Sequence, residues 1–393
     1  MGETAAPPAA GRGGIMLSAG EASGDLHGAT LCRALRELDP GLRLFGMGGA
    51  RMAAAGMEVV ADPTRHAVVG GTEALGRLPR LYRAYRTLTR RVDDERPEAL
   101  VLIDFPEFNM RLARRAWRAG VPVVYFIPPQ VWAWRRGRLR DIARFATRVL
   151  AVLPFEPSLY EEAGAPVEFV GHPLLDALPL DLPRAEARRR LDVRPEQSVV
   201  GLLPGSRKEE VLRLLPSMLG AARRLAAADR PRRFLLGLAP SVDAALVRTL
   251  LGRALEAGGP GVQVAEGRTY EVMAAADVLL IASGTATLEA ALLGAPMVVC
   301  YRVSRLSGLI GRLVIRVPWI GLPTLICGRS VVPEILQGAV SGPRLAAEAL
   351  RLLEEPGAAE TQRAAFKDLR WRLGEPGVGR RAALAVLAAA RAA

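Results

Sequence analysis

Short apolar runs alternate with longer helix-like stretches along this chain, and prolines interrupt the alternation once. Strand-like runs fall at 15–18, 42–47, 99–103, 121–126, 149–153 and 168–170, then at 199–203, 234–238, 262–265, 278–281 and 297–301. Helix-like stretches such as 26–38, 78–91 and 211–227 lie between most of them. Such alternation predicts parallel sheets covered by helices on both faces. The break at 173–194 carries Pro173, Pro179 and Pro183. At 393 residues the chain exceeds one ordinary core. The reading is therefore an α/β protein of two doubly wound domains, 14–173 and 174–354. A disordered tail (1–13) precedes them, and a helical tail (355–393) packs on the first domain or on a partner. Ligands of such sheets bind beyond the carboxyl ends of the strands, here expected to face an interdomain cleft.

Two turns in the second half fit that position. Gly205-Ser206-Arg207-Lys208 follows the run 199–203, and Ser283-Gly284-Thr285-Ala286-Thr287-Leu288-Glu289 follows 278–281. A small-residue turn between strand and helix presents backbone N–H groups at a helix N-terminus, where a phosphate binds well. The expected nucleotide contacts are Gly205, Ser206, Arg207, Ser283, Gly284, Thr285 and Thr287, with Glu289 accepting ribose hydroxyls. Small residues also suit any strand-to-helix turn, and only the pair of turns together argues for a nucleotide diphosphate.

In the first half, Ala19-Gly20-Glu21-Ala22-Ser23-Gly24-Asp25-Leu26-His27-Gly28 opens a helix after the first strand. Its glycines permit close backbone approach, and Glu21, Ser23 and Asp25 are expected at the ligand. Helix capping is the competing role for Ser23 and Asp25. Asp104 ends the run 99–103 in Asp104-Phe105-Pro106-Glu107-Phe108-Asn109, where a carboxylate is placed for general-base work. Pro128-Pro129-Gln130-Val131-Trp132-Ala133-Trp134 supplies further donors, Gln130 and Trp132 among them. Gly171-His172-Pro173 is read as part of the hinge. The helix through Arg77–Arg86 sets Leu and Tyr on one face with Arg around it, a pattern suited to an anionic membrane surface.

The charge balance, 53 basic against 40 acidic residues, is +13, and nearly all the basic residues are Arg. A coding bias toward Arg, Ala, Gly and Pro accounts for most of this, but the surface still attracts anions. Asn109 is the only asparagine and only three histidines occur, so residues that survive the bias stand out. Three scattered cysteines give neither a metal-ligand spacing nor a disulfide framework, which fits a reducing compartment. Residues 1–14 lack the apolar core of a signal peptide. No uninterrupted apolar stretch is long enough to span a bilayer. A nucleic-acid partner would rest on charge alone.

Taken in order, these motifs resemble the lipid-A-disaccharide synthases, a bacterial glycosyltransferase family. The matching segments are Ser18–Gly28, Gly46–Gly49, Asp104–Asn109, Pro128–Arg135, Leu153–Glu156, Gly171–Pro173, Leu203–Arg207, Ala282–Glu289 and Pro296–Tyr301. The resemblance implies a GT-B fold, a peripheral enzyme on the cytoplasmic face of the inner membrane, and no cofactor. It implies transfer of 2,3-diacylglucosamine from its UDP conjugate to 2,3-diacylglucosamine 1-phosphate, with inversion. Asp104 is then the base, and Arg207 neutralises the departing UDP in place of a metal, for which no Asp-x-Asp motif is present. Asn109, Gln130 and Trp132 are carried into the site as sugar contacts. A homodimer is left open.

Two departures from the family pattern stand out. Arg96-Pro97-Glu98 replaces Lys-Pro-Asp, which makes Glu98 a candidate to share the base role. Leu322-Pro323-Thr324 replaces Leu-Pro-Asn, which puts one ligand hydrogen bond in doubt. The alternatives are a UDP-sugar 2-epimerase and a non-catalytic nucleotide- or lipid-binding relative.

Overall fold

The structure is a computed structural model that describes residues 13–62, 74–129, 137–227, 230–303 and 319–392, with side chains of 74–78 left aside. Its described residues divide into two compact units. The first comprises 13–62, 74–177 and 374–392, and the second lies within 178–373.

The first unit carries β1 (Ile15–Ala19), α1 (Ala22–Leu38), β2 (Leu44–Met47), α2 (Ala50–Ala54), β3 (Glu58–Ala61), α3 (Ala74–Glu95) and β4 (Ala99–Ile103). It continues with α4 (Pro106–Arg118), β5 (Val123–Phe126), α5 (Gly137–Phe145), β6 (Arg148–Ala151), α6 (Glu156–Glu162), β7 (Val167–Phe169) and α7 (Leu174–Ala177). All neighbours pair in parallel, in the order β3-β2-β1-β4-β5-β6-β7. Strands β1, β4 and β5 are buried along their whole length, as near-continuous apolar runs require when helices cover both faces.

The second unit carries α8 (Arg184–Arg190), β8 (Ser198–Leu203), α9 (Lys208–Ala226), β9 (Arg232–Leu238), α10 (Ala244–Glu256), β10 (Val262–Glu266) and α11 (Thr269–Ala275). Then come β11 (Val278–Ala282), α12 (Thr285–Leu292), β12 (Met297–Tyr301), α13 (Leu322–Cys327), β13 (Glu334–Leu336), α14 (Gly342–Glu354) and α15 (Ala358–Arg372). Its parallel order is β10-β9-β8-β11-β12-β13. Asp277 fixes the start of β11. It accepts from the Val199 N–H at 2.8 Å and the Arg188 guanidinium at 2.8 Å, and pairs with Arg184.

Sequence periodicity misses two strands, β3 and β13. Both sit at a sheet edge and are short, β13 being Glu-Ile-Leu, so neither shows a buried apolar run. The C-terminal segment, read from sequence as one tail, divides. Helix α15 stays with the second unit, where the Gln362 side chain brackets Met297 through both its N–H and its carbonyl. The last helix, α16 (Val378–Arg391), lies on α1 in the first unit. Asp176 anchors it by accepting the N–H groups of Gly377 (2.6 Å) and Gly379 (2.8 Å).

On α3 the expected outward stripe of Leu and Tyr is split. Leu81, Ala84 and Tyr85 pack against the core, with the Tyr85 ring edge-on to Phe108. Tyr82 points outward beneath Arg86. No helix of the described residues is long and apolar enough to cross a membrane.

Candidate functional site

In each sheet the strand order reverses once, between β1 and β4 in the first and between β8 and β11 in the second. A crevice opens at such a reversal because the two following helices depart to opposite faces. Four of the sequence motifs follow these four strands: Gly20–Gly28 after β1, Asp104–Asn109 after β4, Gly205–Lys208 after β8 and Ser283–Glu289 after β11.

In the first unit, Asp104 leaves β4 in the left-handed region, with φ of +46°, and Phe105 follows at +51°. Two consecutive non-glycine residues there mark strained backbone. The Phe105 ring lies where a Cβ on Gly20 would sit, 2.2 Å from that position, so residue 20 has to be glycine. Burial pushes the Asp104 carboxyl up to about 6, with the charge of Glu21 adding to the rise and the Phe105 N–H opposing it. A carboxyl near 6 is a stronger base than an ordinary aspartate and is still ionised at neutral pH. Glu21 itself is exposed at the N-terminus of α1, and Ser23 is half-buried in its first turn.

Three expected contacts take other places. Asp25 is buried, and its carboxylate accepts the N–H groups of Gly49, Arg51 and Met52 at 2.9–3.1 Å, capping α2 from a distance. Asn109 is fully buried and bonded within the protein on both ends of its amide, so no face is left for a sugar. Glu98 precedes β4, at the strand end opposite Asp104, with its N–H on the Gly14 carbonyl at 2.9 Å. Strand rise sets the two Cα atoms about 20 Å apart, at opposite ends of β4, which argues against a shared base position. Gln130 and Trp132 lie outside the described residues.

In the second unit, the Glu210 carboxylate folds back on the turn after β8. It accepts from the N–H groups of Ser206 (3.0 Å) and Arg207 (3.3 Å) and faces the Arg207 guanidinium at 3.4 Å. The turn at Gly205 thus presents an exposed Arg207 side chain, while two of its expected phosphate donors are held internally. The pattern of a Glu three residues after a helix cap was visible in the sequence and marks this arrangement.

At the turn after β11, Gly284 has φ of +150°, which favours glycine, and no atom lies within 4 Å of where its Cβ would be. The Thr287 hydroxyl donates to the Gly284 carbonyl at 2.7 Å and is fully buried, and the Ser283 hydroxyl donates to the Ile320 carbonyl at 3.3 Å. Thr287 is thus turned inward, while Ser283 stays half-buried at the turn. The backbone N–H groups of Thr285 and Ala286, at the start of α12, have no acceptor among the described residues. Such donors at the positive end of a helix suit a phosphate. Glu289 accepts from the Tyr270 hydroxyl at 3.4 Å, a partner that the sequence did not signal. Thr324, which replaces the family's asparagine, is fully buried and its hydroxyl has no partner among the described residues.

Comparison with known proteins gives these turns a context. The lipid-A-disaccharide synthetase family matches residues 15–388. The synthase of Syntrophus aciditrophicus is 45% identical over 95% of this chain and 97% of its own length. That of Myxococcus xanthus is 42% identical over 95% and 96%. Among solved structures, the UDP-GlcNAc 2-epimerase of Neisseria meningitidis bound to UDP-GlcNAc superposes with a TM-score of 0.62 at 12% identity, over 95% of this chain and all of that one. The calicheamicin glycosyltransferase CalG4 does so at 0.58 and 18%, over 96% and 98%. At those identities the two structures share the fold alone, the GT-B build of two parallel-sheet units. The match over nearly the whole length settles the affiliation: this chain belongs to the lipid-A-disaccharide synthase family of glycosyltransferases.

Proposed function

We propose that the chain transfers 2,3-diacylglucosamine from UDP-2,3-diacylglucosamine to 2,3-diacylglucosamine 1-phosphate, forming the β-1,6-linked disaccharide 1-phosphate and UDP. The first unit takes the acceptor and the second takes UDP. The observation that carries this reading is Asp104, a carboxylate raised to about 6 at the end of β4.

Asp104 takes the proton of the acceptor hydroxyl as that oxygen attacks the anomeric carbon. The bond from that carbon to the UDP oxygen breaks on the opposite face, so the configuration inverts. Charge builds on the departing diphosphate. Arg207 and the N–H groups of Thr285 and Ala286 neutralise it, since preorganised donors are most effective where charge develops. Glu289, steadied by Tyr270, accepts from the ribose. The exposed Tyr82 among Arg80, Arg83 and Arg86 supports a peripheral association with the anionic cytoplasmic face of the inner membrane.

The test is UDP release from UDP-2,3-diacylglucosamine with and without the acceptor. Acceptor-dependent release with a disaccharide product supports the proposal. Acceptor-independent turnover of the UDP-sugar would replace it with epimerisation, and binding without turnover would replace it with a non-catalytic role.

A further inference from the structure

We propose that Asn109 is a positioning residue that holds Asp104 in its working conformation, and that it contacts neither sugar. The inference rests on the transferase reading and deepens it. Asp104 and Phe105 occupy left-handed backbone that non-glycine residues disfavour, so an unbraced turn would relax and carry the carboxylate with it.

Asn109 supplies the brace. From the first turns of α4, its side-chain nitrogen lies 2.7 Å from the Asp104 carbonyl and 3.2 Å from those of Ile103 and Ser18. Its side-chain oxygen accepts the Ser18 hydroxyl at 2.6 Å. The Asn109 backbone N–H also donates to the Phe105 carbonyl at 3.0 Å, a main-chain bond that the substitutions below leave in place. One short neutral side chain thus donates twice and accepts once, tying the ends of β1 and β4 together at the strand reversal. An amide alone offers that set at this length, which gives a physical reason for the chain's single asparagine.

The groups facing Asp104 are Glu21 from the β1 turn and Tyr125 from β5. The Tyr125 hydroxyl donates to the same carbonyl at 3.3 Å, and Arg138 of α5 lies beyond Tyr125. The Tyr125 hydroxyl holds the Asp104 carbonyl alone and does not tie it to β1, as the Asn109 amide does through Ser18.

The experiment measures kcat, KM and the pH profile of acceptor-dependent UDP release for Asn109→Ser, Asn109→Asp and Ser18→Ala, alongside thermal unfolding and UDP binding. Asn109→Ser is expected to lose about 10²-fold in kcat, the scale of a misplacement of about 1 Å. Its KM values should stay within about threefold, the pattern of a group that binds no substrate. The acid limb of its profile should move to lower pH as the carboxylate relaxes toward water. Asn109→Asp is nearly isosteric and decides the matter should the serine variant not fold. Even protonated, as burial against these carbonyls favours, it donates one hydrogen where the amide donates two, and a kcat loss in the same direction is expected. Ser18→Ala removes one leg of the brace but leaves the amide donors in place, and should lose less kcat than Asn109→Ser, with a smaller move of the limb.

Unchanged kcat and limb in a folded Asn109 variant would overturn the proposal, as would a raised acceptor KM at constant kcat, which marks direct contact. Absence of acceptor-dependent release from the unsubstituted protein is a separate failure, and it removes the transferase reading itself.

Discussion

The Asp25 carboxylate accepts the Gly49 N–H at 2.9 Å, joining the first turn of α1 to the start of α2, 24 residues further on. With Arg51 and Met52 it satisfies three of the N–H groups that a helix leaves unpaired at its N-terminus. A motif residue expected at the ligand is thus a cap for a second helix. Asp25→Ala should destabilise the first unit by about 2 kcal/mol, the upper range for a lost cap. Denaturant unfolding would measure this, and UDP affinity should not change. A stable Asp25→Ala with weakened acceptor KM would return Asp25 to the binding site.

Asp104→Asn should abolish acceptor-dependent turnover while UDP binds as before. It should also stabilise the protein in alkaline solution. The folded carboxyl titrates near 6, above its unfolded value near 3.9. The linked stability is therefore fully present below about 3.9 and is lost as pH rises through about 6. Two pH units correspond to at most about 3 kcal/mol. The variant should gain part of that at pH 8 and almost nothing near pH 4. Urea unfolding at the two pH values would show it, and an equal gain at both would disconnect the stabilisation from the charge.

Much of the fold was legible because parallel strands such as β1 and β8 are apolar throughout and end in recognisable turns. What escaped were β3 and β13, edge strands too short to carry a pattern. At the site, the residue types and positions were readable, but the direction of each side chain was not. Asp104, Asp25, Asn109 and Thr287 all sit in motif turns, and only the first offers a carboxylate for chemistry. Whether Asp25 or Thr287 faces a ligand or a backbone amide depends on where α2 and the Gly284 carbonyl lie. Glu98 misled for a simpler reason: six residues along an extended strand carry it to the far end of the sheet.

The rings of His27 and His172 meet edge-on at 6.0 Å inside the first unit. Burial holds His27 down to about 4, with Arg51 adding, and burial holds His172 down to about 3, with His27 adding. Both therefore stay neutral where unfolded histidine, near 6.5, takes a proton. Their stability contribution is present above about 6.5 and is lost as pH falls toward 4 and 3, on the order of 3 kcal/mol per histidine. Asp104 acts in the opposite direction between about 6 and 4, so the informative quantity is a difference. His172→Gln keeps an acceptor for the Leu174 N–H and should lose less stability than the unsubstituted protein between pH 6.5 and 4. Identical slopes in urea titrations would show that the pair does not govern acid sensitivity.

Glu98→Gln separates the two carboxylates once proposed for one role. Glu98 lies where β4 begins, and catalysis is assigned where β4 ends. At about 20 Å a unit charge acts only weakly on Asp104, below about 1 kcal/mol at an effective dielectric of about 20. The substitution keeps shape and leaves the Gly14 backbone bond untouched, because that bond uses the Glu98 N–H. One carboxylate oxygen of Glu98 is buried without a partner among the described residues, so removing the charge should hold or slightly raise stability. The expectation is a kcat within about twofold of the unsubstituted protein and an acid limb still near 6. A loss of kcat as large as that of Asp104→Asn would mean that the start of β4 takes part in the chemistry, and the base would then have to be reassigned.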